Sequence, residues 1–561
     1  MLRADRALAA VLSAAALAGC AANPAVHQSG AAPTAAAPTA AAVPAAAPTA
    51  PAAVPPAAPA LAPAPPPGSP QPPAPAGPSA ADQVALRPAP PQQAPPALVA
   101  GPGHPNVVLI LTDDLSSDLL PYMPHVQAMQ RSGTSFSNYV VSDSLCCPSR
   151  SSILTGRFPH NTGVFGNTGS DGGFSAFHDK GGERVTFATA LQRSGYRTAF
   201  MGKYLNGYQP AANVNGRARY VPPGWSDWAA AGNGYAEFGY RLNVDGRLVQ
   251  RGTGAKDYLT DVLAVRGAGV VRAAAAARQP FLAEISTFAP HAPYTPAPRD
   301  AASFPGLMAP RDPSFNEANT DPPAWLAGHP LTPEQLAGLD EAFRKRVQAV
   351  QAVDRLVGRV QGALASAGLA NSTYLMFTSD NGLHLGQHQL TAGKLTAFDS
   401  DVRVPLVVTG PGVLAGATVA DLTQNVDLAP TIERMAGLTP PPSVDGRSLL
   451  PLLRGEPVGA WRTAALVEHH GADFYRQDPD YPAAGSGNPT TYQAIRTASS
   501  LWVEYADGER EFYDLTSDPY EQHNVAATLA AATVDQLHAA VTALQTCRGA
   551  AGCLAAGRLT G

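Results

Sequence analysis

Residues 142–161, SDSLCCPSRSSILTGRFPHN, set two cysteines side by side ahead of Pro148, Ser149 and Arg150. The chain uses only five cysteines in 561 residues, so the pair is a local concentration of sulfur chemistry. Two further groups are acidic: Asp113 and Asp114 close the run NVVLILTDD, and Asp380 and Asn381 fall at the end of TYLMFTSDNG. Adjacent carboxylates about 4 Å apart repel by about 4 kcal/mol at an intermediate effective dielectric, which a hard cation would relieve. Oxygen donors that include an amide suit calcium, with magnesium or manganese as alternatives. Each acid taken singly also reads as a turn residue or helix cap; two strands ending alike favour a shared ion. SSILTGR predicts a short helix with Pro148 near its first turn, where a missing N–H costs nothing. The cysteines would then sit at the positive end of that helix beside Arg150, which lowers a thiol's pKa and favours an anion. A thiolate next to three carboxylates would nonetheless be repelled, and it is a soft ligand for a hard cation. One of the two cysteines therefore makes better sense as a precursor than as a thiol.

These groups need a scaffold that brings them together. NVVLILTDD and TYLMFTSDNG read as strands buried on both faces. TFATALQRSG predicts a helix closed by Gly195, and YRTAFMGK a strand leading to Lys203. Residues 341–367 carry apolar side chains at helical spacing (Phe343, Val347, Val350, Val353, Leu356, Val360, Leu364) and stop at Gly368. Strand, helix and strand in this rhythm predict an α/β layered sheet. Ligands collect at the carboxyl ends of such strands, where Asp113, Asp114, Asp380 and Asn381 fall. From Trp461 onward YQAIRT, LWVEYADG and REFYDLT alternate as strands, with a hairpin signal at Asp507-Gly508.

Composition divides the chain. Prolines crowd residues 23–103, an Ala/Pro run with few aromatics or charges that cannot bury a core. The foldable part begins near His104. A net charge of −5 gives no reason to expect nucleic acid or a basic membrane patch. The first twenty residues, MLRADRALAAVLSAAALAGC, carry arginines at 3 and 6 and an apolar run too short to span a bilayer. They resemble a bacterial lipoprotein signal in which Cys20 becomes the lipidated first residue; an ordinary secretory peptide is the alternative. Either way the protein is exported. The lipid anchor would be its one membrane contact, on a linker reaching at most ~250 Å at roughly 3.1 Å per residue. In an oxidising compartment Cys547 and Cys553, in CRGAAGC, read as a local disulfide. Cys146 and Cys147 remain, and neighbouring cysteines rarely bridge each other.

The stretch Cys146-Cys147-Pro148-Ser149-Arg150 followed by SSILTGR resembles the signature of type I sulfatases. So do NVVLILTDD, GKYLNGY, FAPHAPYTP, TSDNGLHLGQH, DVRVPLVVTGPG, VDGRSLLPLLRG and EFYDLTSDPYEQHNV. CCPSRSSILTGRFPHN, KYLN and AFRKR are most similar to the N-acetylglucosamine-6-sulfatases and their extracellular endosulfatase relatives. The resemblance implies an alkaline-phosphatase-like layered sandwich with a central mixed, largely parallel sheet and a smaller C-terminal antiparallel-sheet subdomain. The division is 1–20 signal, 21–103 linker, 104–460 catalytic domain and 461–561 subdomain. It also implies that a formylglycine-generating enzyme oxidises Cys146, leaving Cys147 as the variable position. Asp113, Asp114, Asp380 and Asn381 with modified Cys146 would hold the cation, and Arg150 the hydrated aldehyde. Lys203 and Lys394 would clamp the sulfate, and His291 would protonate the leaving oxygen or bind sulfate. The substrate implied is a sulfated sugar. Many family members have a histidine two residues after the lysine, where this chain has Leu205 and then Asn206; that leaves the base of the elimination step open, with His384 and His388 as candidates. A phosphate or phosphonate monoester hydrolase on the same scaffold, and an unmodified surface glycan binder, are the alternatives.

Overall fold

The computed structural model describes residues 104–559 except 327, 472–475 and 477. The signal-like segment with Cys20 and the Ala/Pro linker lie outside the described residues. Ten strands form the main sheet. In chain order they are β1 (Asn106–Thr112), β2 (Thr134–Phe136), β3 (Arg197–Lys203), β4 (Asp227–Ala231), β5 (Arg241–Val244), β6 (Arg247–Gln250), β7 (Phe281–Ser286), β8 (Thr373–Ser379), β9 (Leu406–Thr409) and β10 (Ala417–Val419). Their order across the sheet is β10-β2-β9-β8-β1-β7-β3-β4-β5-β6. The central five, β8-β1-β7-β3-β4, are parallel, while β9 on one side and β5 on the other run antiparallel to them and β6 turns back antiparallel to β5. The sheet is thus mixed and largely parallel at its centre, as the resemblance implied.

Alternate residues of β1 feed two different cores, because successive side chains of a strand point to opposite faces. Val107, Leu109 and Leu111 belong to one apolar cluster. Val108 and Ile110 belong to the other. Helices α1 (Pro124–Ser132), α4 (Leu259–Ala277) and α5 (Pro333–Ser366) cover the second face; α2 (Cys146–Thr155) and α3 (Phe187–Arg193) cover the first. Helix α5 begins well before its apolar repeat. Thr332 caps it, accepting from the Gln335 amide while the Gln335 side chain accepts from the Thr332 amide, the reciprocal pairing of a capping box.

A second sheet of four antiparallel strands follows: β11 (Ala464–His469), β12 (Tyr492–Thr497), β13 (Ser500–Tyr505) and β14 (Arg510–Asp514). One face, with Val467, Tyr492, Val503 and Tyr513, joins the first core. The other, with Leu466, Ile495 and Trp502, packs against α6 (Ala531–Leu544) through Leu537, Val541 and Leu544. Cys547 and Cys553 are joined by a disulfide just beyond α6.

Candidate active site

Register brings the chemistry to one edge of the sheet. Thr112 lies opposite Ser379, Leu111 opposite Ser286, and Ser286 opposite Gly202. The residues that follow these positions, Asp113, Asp380 and Lys203, therefore emerge side by side although up to 267 positions apart. Gly202 allows the close approach: a Cβ there would lie 1.7 Å from the Ser286 carbonyl oxygen. Asp114 then turns the chain at φ +60°, a left-handed conformation that costs a non-glycine residue on the order of 1–3 kcal/mol and recurs at functional sites.

The side chains converge on Cys146, the first residue of α2. Its sulfur is 3.3 Å from Asp113 Oδ1 and accepts from Lys394 Nζ at 2.9 Å. Lys203 Nζ donates to Asp113 Oδ2 at 2.7 Å, and Lys394 Nζ to Asp114 Oδ1 at 2.7 Å. Arg150 Nε donates to Asp380 Oδ2 at 2.7 Å, and its NH1 to Ser286 Oγ at 2.7 Å and the Lys203 carbonyl at 3.0 Å. Asn381 Nδ2 donates to Asp114 Oδ1 at 2.7 Å. Asp113, Asp114, Cys146 and His291 each offer a ligand atom, and these lie within 4.8 Å of one another. All nine residues expected at the site thus meet in one buried cluster.

The donor set fits a hard divalent cation. Three carboxylates crowd together, and the Asn381 Oδ1 atom is buried without a partner, although buried polar atoms are normally satisfied. These oxygens are what calcium or magnesium prefers.

Electrostatics overturn one expectation. The Cys146 thiol is not lowered: burial pushes it well above the ordinary value, and the neighbouring Asp113 and Asp480 carboxylates push the same way. Zero exposure and two anions outweigh the helix terminus and the two lysines. Unmodified Cys146 is therefore a neutral thiol rather than a nucleophile. Burial alone would lower His291, but Asp114, Asp113 and Asp480 raise it to about 9. Its ring donates through both nitrogens, Nδ1 to the Ala292 carbonyl and Nε2 to Asp480, each at 2.7 Å. Burial would also lower Lys203 and Lys394, yet their aspartate partners hold both well above the ordinary lysine value.

Asp480 was not anticipated. Its carboxylate accepts from His291 Nε2, from Lys394 Nζ at 2.6 Å, from Asn167 Nδ2 at 2.6 Å and from Asn206 Nδ2 at 3.1 Å. It sits in the long connection between β11 and β12, where loop length was the available signal, since such loops are commonly functional. Tyr235 was also missed; its ring lies 5.1 Å from Lys203 Nζ and packs against His291. Leu205 is buried in the apolar core, so the position lacking histidine offers no base. His384 pairs with Asp401 and the Ser486 carbonyl, and His388 with Asn319. Neither reaches the cluster. Cys147 faces away from it, into the core.

The family model described as Sulfatase matches residues 105–438, and one described as N-sulphoglucosamine sulphohydrolase, C-terminal, matches residues 386–546. The chain is 38% identical over 480 residues to N-acetylglucosamine-6-sulfatase of Homo sapiens, covering 81% of this chain and 86% of that protein. It is 37% identical over 381 residues to the extracellular sulfatase SULF-1 homolog of Drosophila melanogaster, covering 66% of this chain and 33% of that one. Among solved structures, a protein in complex with its substrate D-glucosamine-2-N,6-O-disulfate superposes with a TM-score of 0.67 at 22% identity, over 79% of this chain and 97% of its own. The phosphonate monoester hydrolase of Agrobacterium radiobacter superposes with a TM-score of 0.60 at 23% identity, over 79% and 96%. At such identities the superpositions speak for the fold alone.

Proposed function

This chain belongs to the sulfatase family, and we propose that the sulfate ester it hydrolyses is carried by an amino sugar, the 6-O-sulfate of N-acetylglucosamine free or within a glycosaminoglycan. The relative at 38% identity over 81% of the chain supports that choice. The observation that carries the chemistry is the Cys146 sulfur, buried between Asp113 and Lys394 at the start of α2. In this reading a formylglycine-generating enzyme oxidises Cys146, and the cation is calcium, held by Asp113, Asp114, Asp380 and Asn381. Hydrated formylglycine at 146 would supply a hydroxyl nucleophile, and a cation held by the acids would supply the positive charge that activates it.

The remaining residues do the positioning. Arg150, fixed by Asp380, Ser286 and the Lys203 carbonyl, holds residue 146 against the acids. Lys203 and Lys394 offer fixed cations where charge builds on the sulfate oxygens. His291, protonated and held at both nitrogens, gives a proton to the departing sugar oxygen. Asp480 keeps its imidazole aimed. We also propose that the protein is exported and tethered through Cys20; the disulfide supports an oxidising compartment. Residues 104–460 would carry the nucleophile, the cation ligands and the acid, and 461–561 would wall the cleft and supply Asp480.

Assay of the purified enzyme on sulfated monosaccharides beside an aryl sulfate and an aryl phosphate tests this. N-acetylglucosamine 6-sulfate should be cleaved, with sulfate preferred to phosphate; a clear preference for phosphate would move the protein to the phosphonate hydrolase side of the fold. Mass spectrometry of the peptide spanning residues 142–157 should find formylglycine at 146. An intact thiol in active material would sink the proposed nucleophile. Chelation should remove activity, and calcium should restore it better than magnesium.

A further inference from the structure

Away from the cluster around Cys146, a groove of about 1100 Å³ runs between the β5–β6 hairpin, α4 and α5. Seven of its lining side chains are lysine or arginine and one is an acid, Asp261; the whole chain, by contrast, is net negative at −5. Three of the arginines are already paired: Arg251 with Asp257, Arg299 with Asp261 and Arg355 with Asp300. The other four cations, Arg247, Lys256, Arg266 and Arg359, have no carboxylate within ion-pairing distance among the described residues. Arg266 is half-buried, and burial lowers its guanidinium pKa, a cost that an anion in the groove would offset. Between the cations the floor is apolar, with Val249 and with Val265 at 52% exposure.

The groove is placed to serve the active site. Strand β4 ends beside Lys203, since Ala231 lies opposite it. Strand β5 runs back from that edge and β6 returns to it, with Arg247 at the far end and Gln250 at the near end. Arg251 and Lys256 therefore follow at the active-site side, and the row of cations leads away from it toward Arg247. Arg299 stands eight residues after His291, so the two backbones are at most ~28 Å apart. A compact anion would use one or two of these cations; a row of four unpaired charges over an apolar floor matches a chain with repeated negative charges and intervening C–H faces.

We propose that this groove is a second, non-catalytic binding site for a sulfated polysaccharide, holding the chain whose sulfated sugar enters the active site. The inference rests on the reading of the substrate as a sulfated sugar. It is tested on the full chain carrying Cys146→Ala, so that binding is read without turnover, using heparin as the probe. Affinity should fall with salt. The triple charge reversal Arg247→Glu, Lys256→Glu and Arg359→Glu should weaken binding by about tenfold or more and flatten that salt dependence. A control reversal of the same net charge elsewhere, Arg193→Glu, Arg217→Glu and Arg434→Glu, should leave binding within about twofold. In the active enzyme the groove variant should keep kcat/KM on a sulfated monosaccharide while KM on the polymer rises. Equal losses from groove and control variants would overturn the proposal, as would unchanged heparin binding. Groove-dependent binding to phosphatidylglycerol vesicles without binding to heparin would assign the surface to a membrane instead. Failure of the enzyme on every sulfated sugar would strike at the substrate reading and would leave the heparin result to be judged by itself.

Discussion

At the scale of single residues, the two adjacent cysteines have opposite fates. Cys146 lies among Asp113, Lys394 and His291, whereas Cys147 is packed in the core. Cys146→Ala should abolish sulfate release with the thermal transition intact. Cys147→Ala should keep turnover and lose about 1–2 kcal/mol to the small cavity it leaves; equal loss of activity from both would mean that the register is wrong. The signature around Cys146 and the acids closing two strands were legible because each is local in sequence. Asp480 was not, since it reaches His291 and Lys394 only through tertiary folding of a long loop with no pattern of its own. If it aims His291, Asp480→Asn should lower kcat on a sugar sulfate by about 10- to 100-fold. The loss should be much smaller on an aryl sulfate, whose phenol leaves without a proton. A similar loss on both substrates would count against His291 as the acid.

At the scale of elements, β1, β3, β8 and the apolar repeat of α5 announced themselves by composition and period, whereas the equally buried central strand β7 and helix α4 went unread. Short strands went unread too. β2, β9 and β10 are three or four residues long and antiparallel or peripheral, so they carry too little pattern to be read without their partners. The start of α5 was hidden because Pro333 and a polar first turn precede its apolar repeat, and only the Thr332 and Gln335 pairing marks it. One contact between elements gives a pH signature. His160 donates to Glu468 of β11 at 2.8 Å and to the Cys547 carbonyl at 2.9 Å. Burial would lower His160, but Glu468 outweighs it and raises the imidazole above 6.5. Burial lifts the Glu468 carboxyl too, so both groups favour the protonated side. The stabilisation is therefore fully present below the unfolded histidine value and is lost as pH rises through the higher folded one. His160→Gln should cost roughly 1.5–3 kcal/mol near pH 6, with the gap to the unaltered protein narrowing in denaturant titrations at higher pH. A gap that widens with pH would show that the histidine is not held as a cation.

At the scale of the whole molecule, the boundary near residue 460 divides the sequence but not the core. Val467, Tyr492, Leu501, Val503, Tyr505 and Tyr513 lie after it, yet they belong to one cluster with Val107, Leu109 and Phe398. Burying each such side chain is worth roughly 1.5–3 kcal/mol, so stripping six from the first core removes on the order of the 5–15 kcal/mol by which a domain is stable. The active site crosses the same boundary, because Asp480 is held by Asn167, Asn206, His291 and Lys394. A chain of residues 104–460 should accordingly fail to fold, recovered as aggregate or as a loosely packed species without sulfatase activity. A chain of residues 104–561 should unfold in a single calorimetric transition, with calorimetric and van't Hoff enthalpies that agree. Two resolved transitions, or a soluble and cooperative 104–460 fragment, would show instead that the small sheet is a separate domain and that its face of the core is an interface.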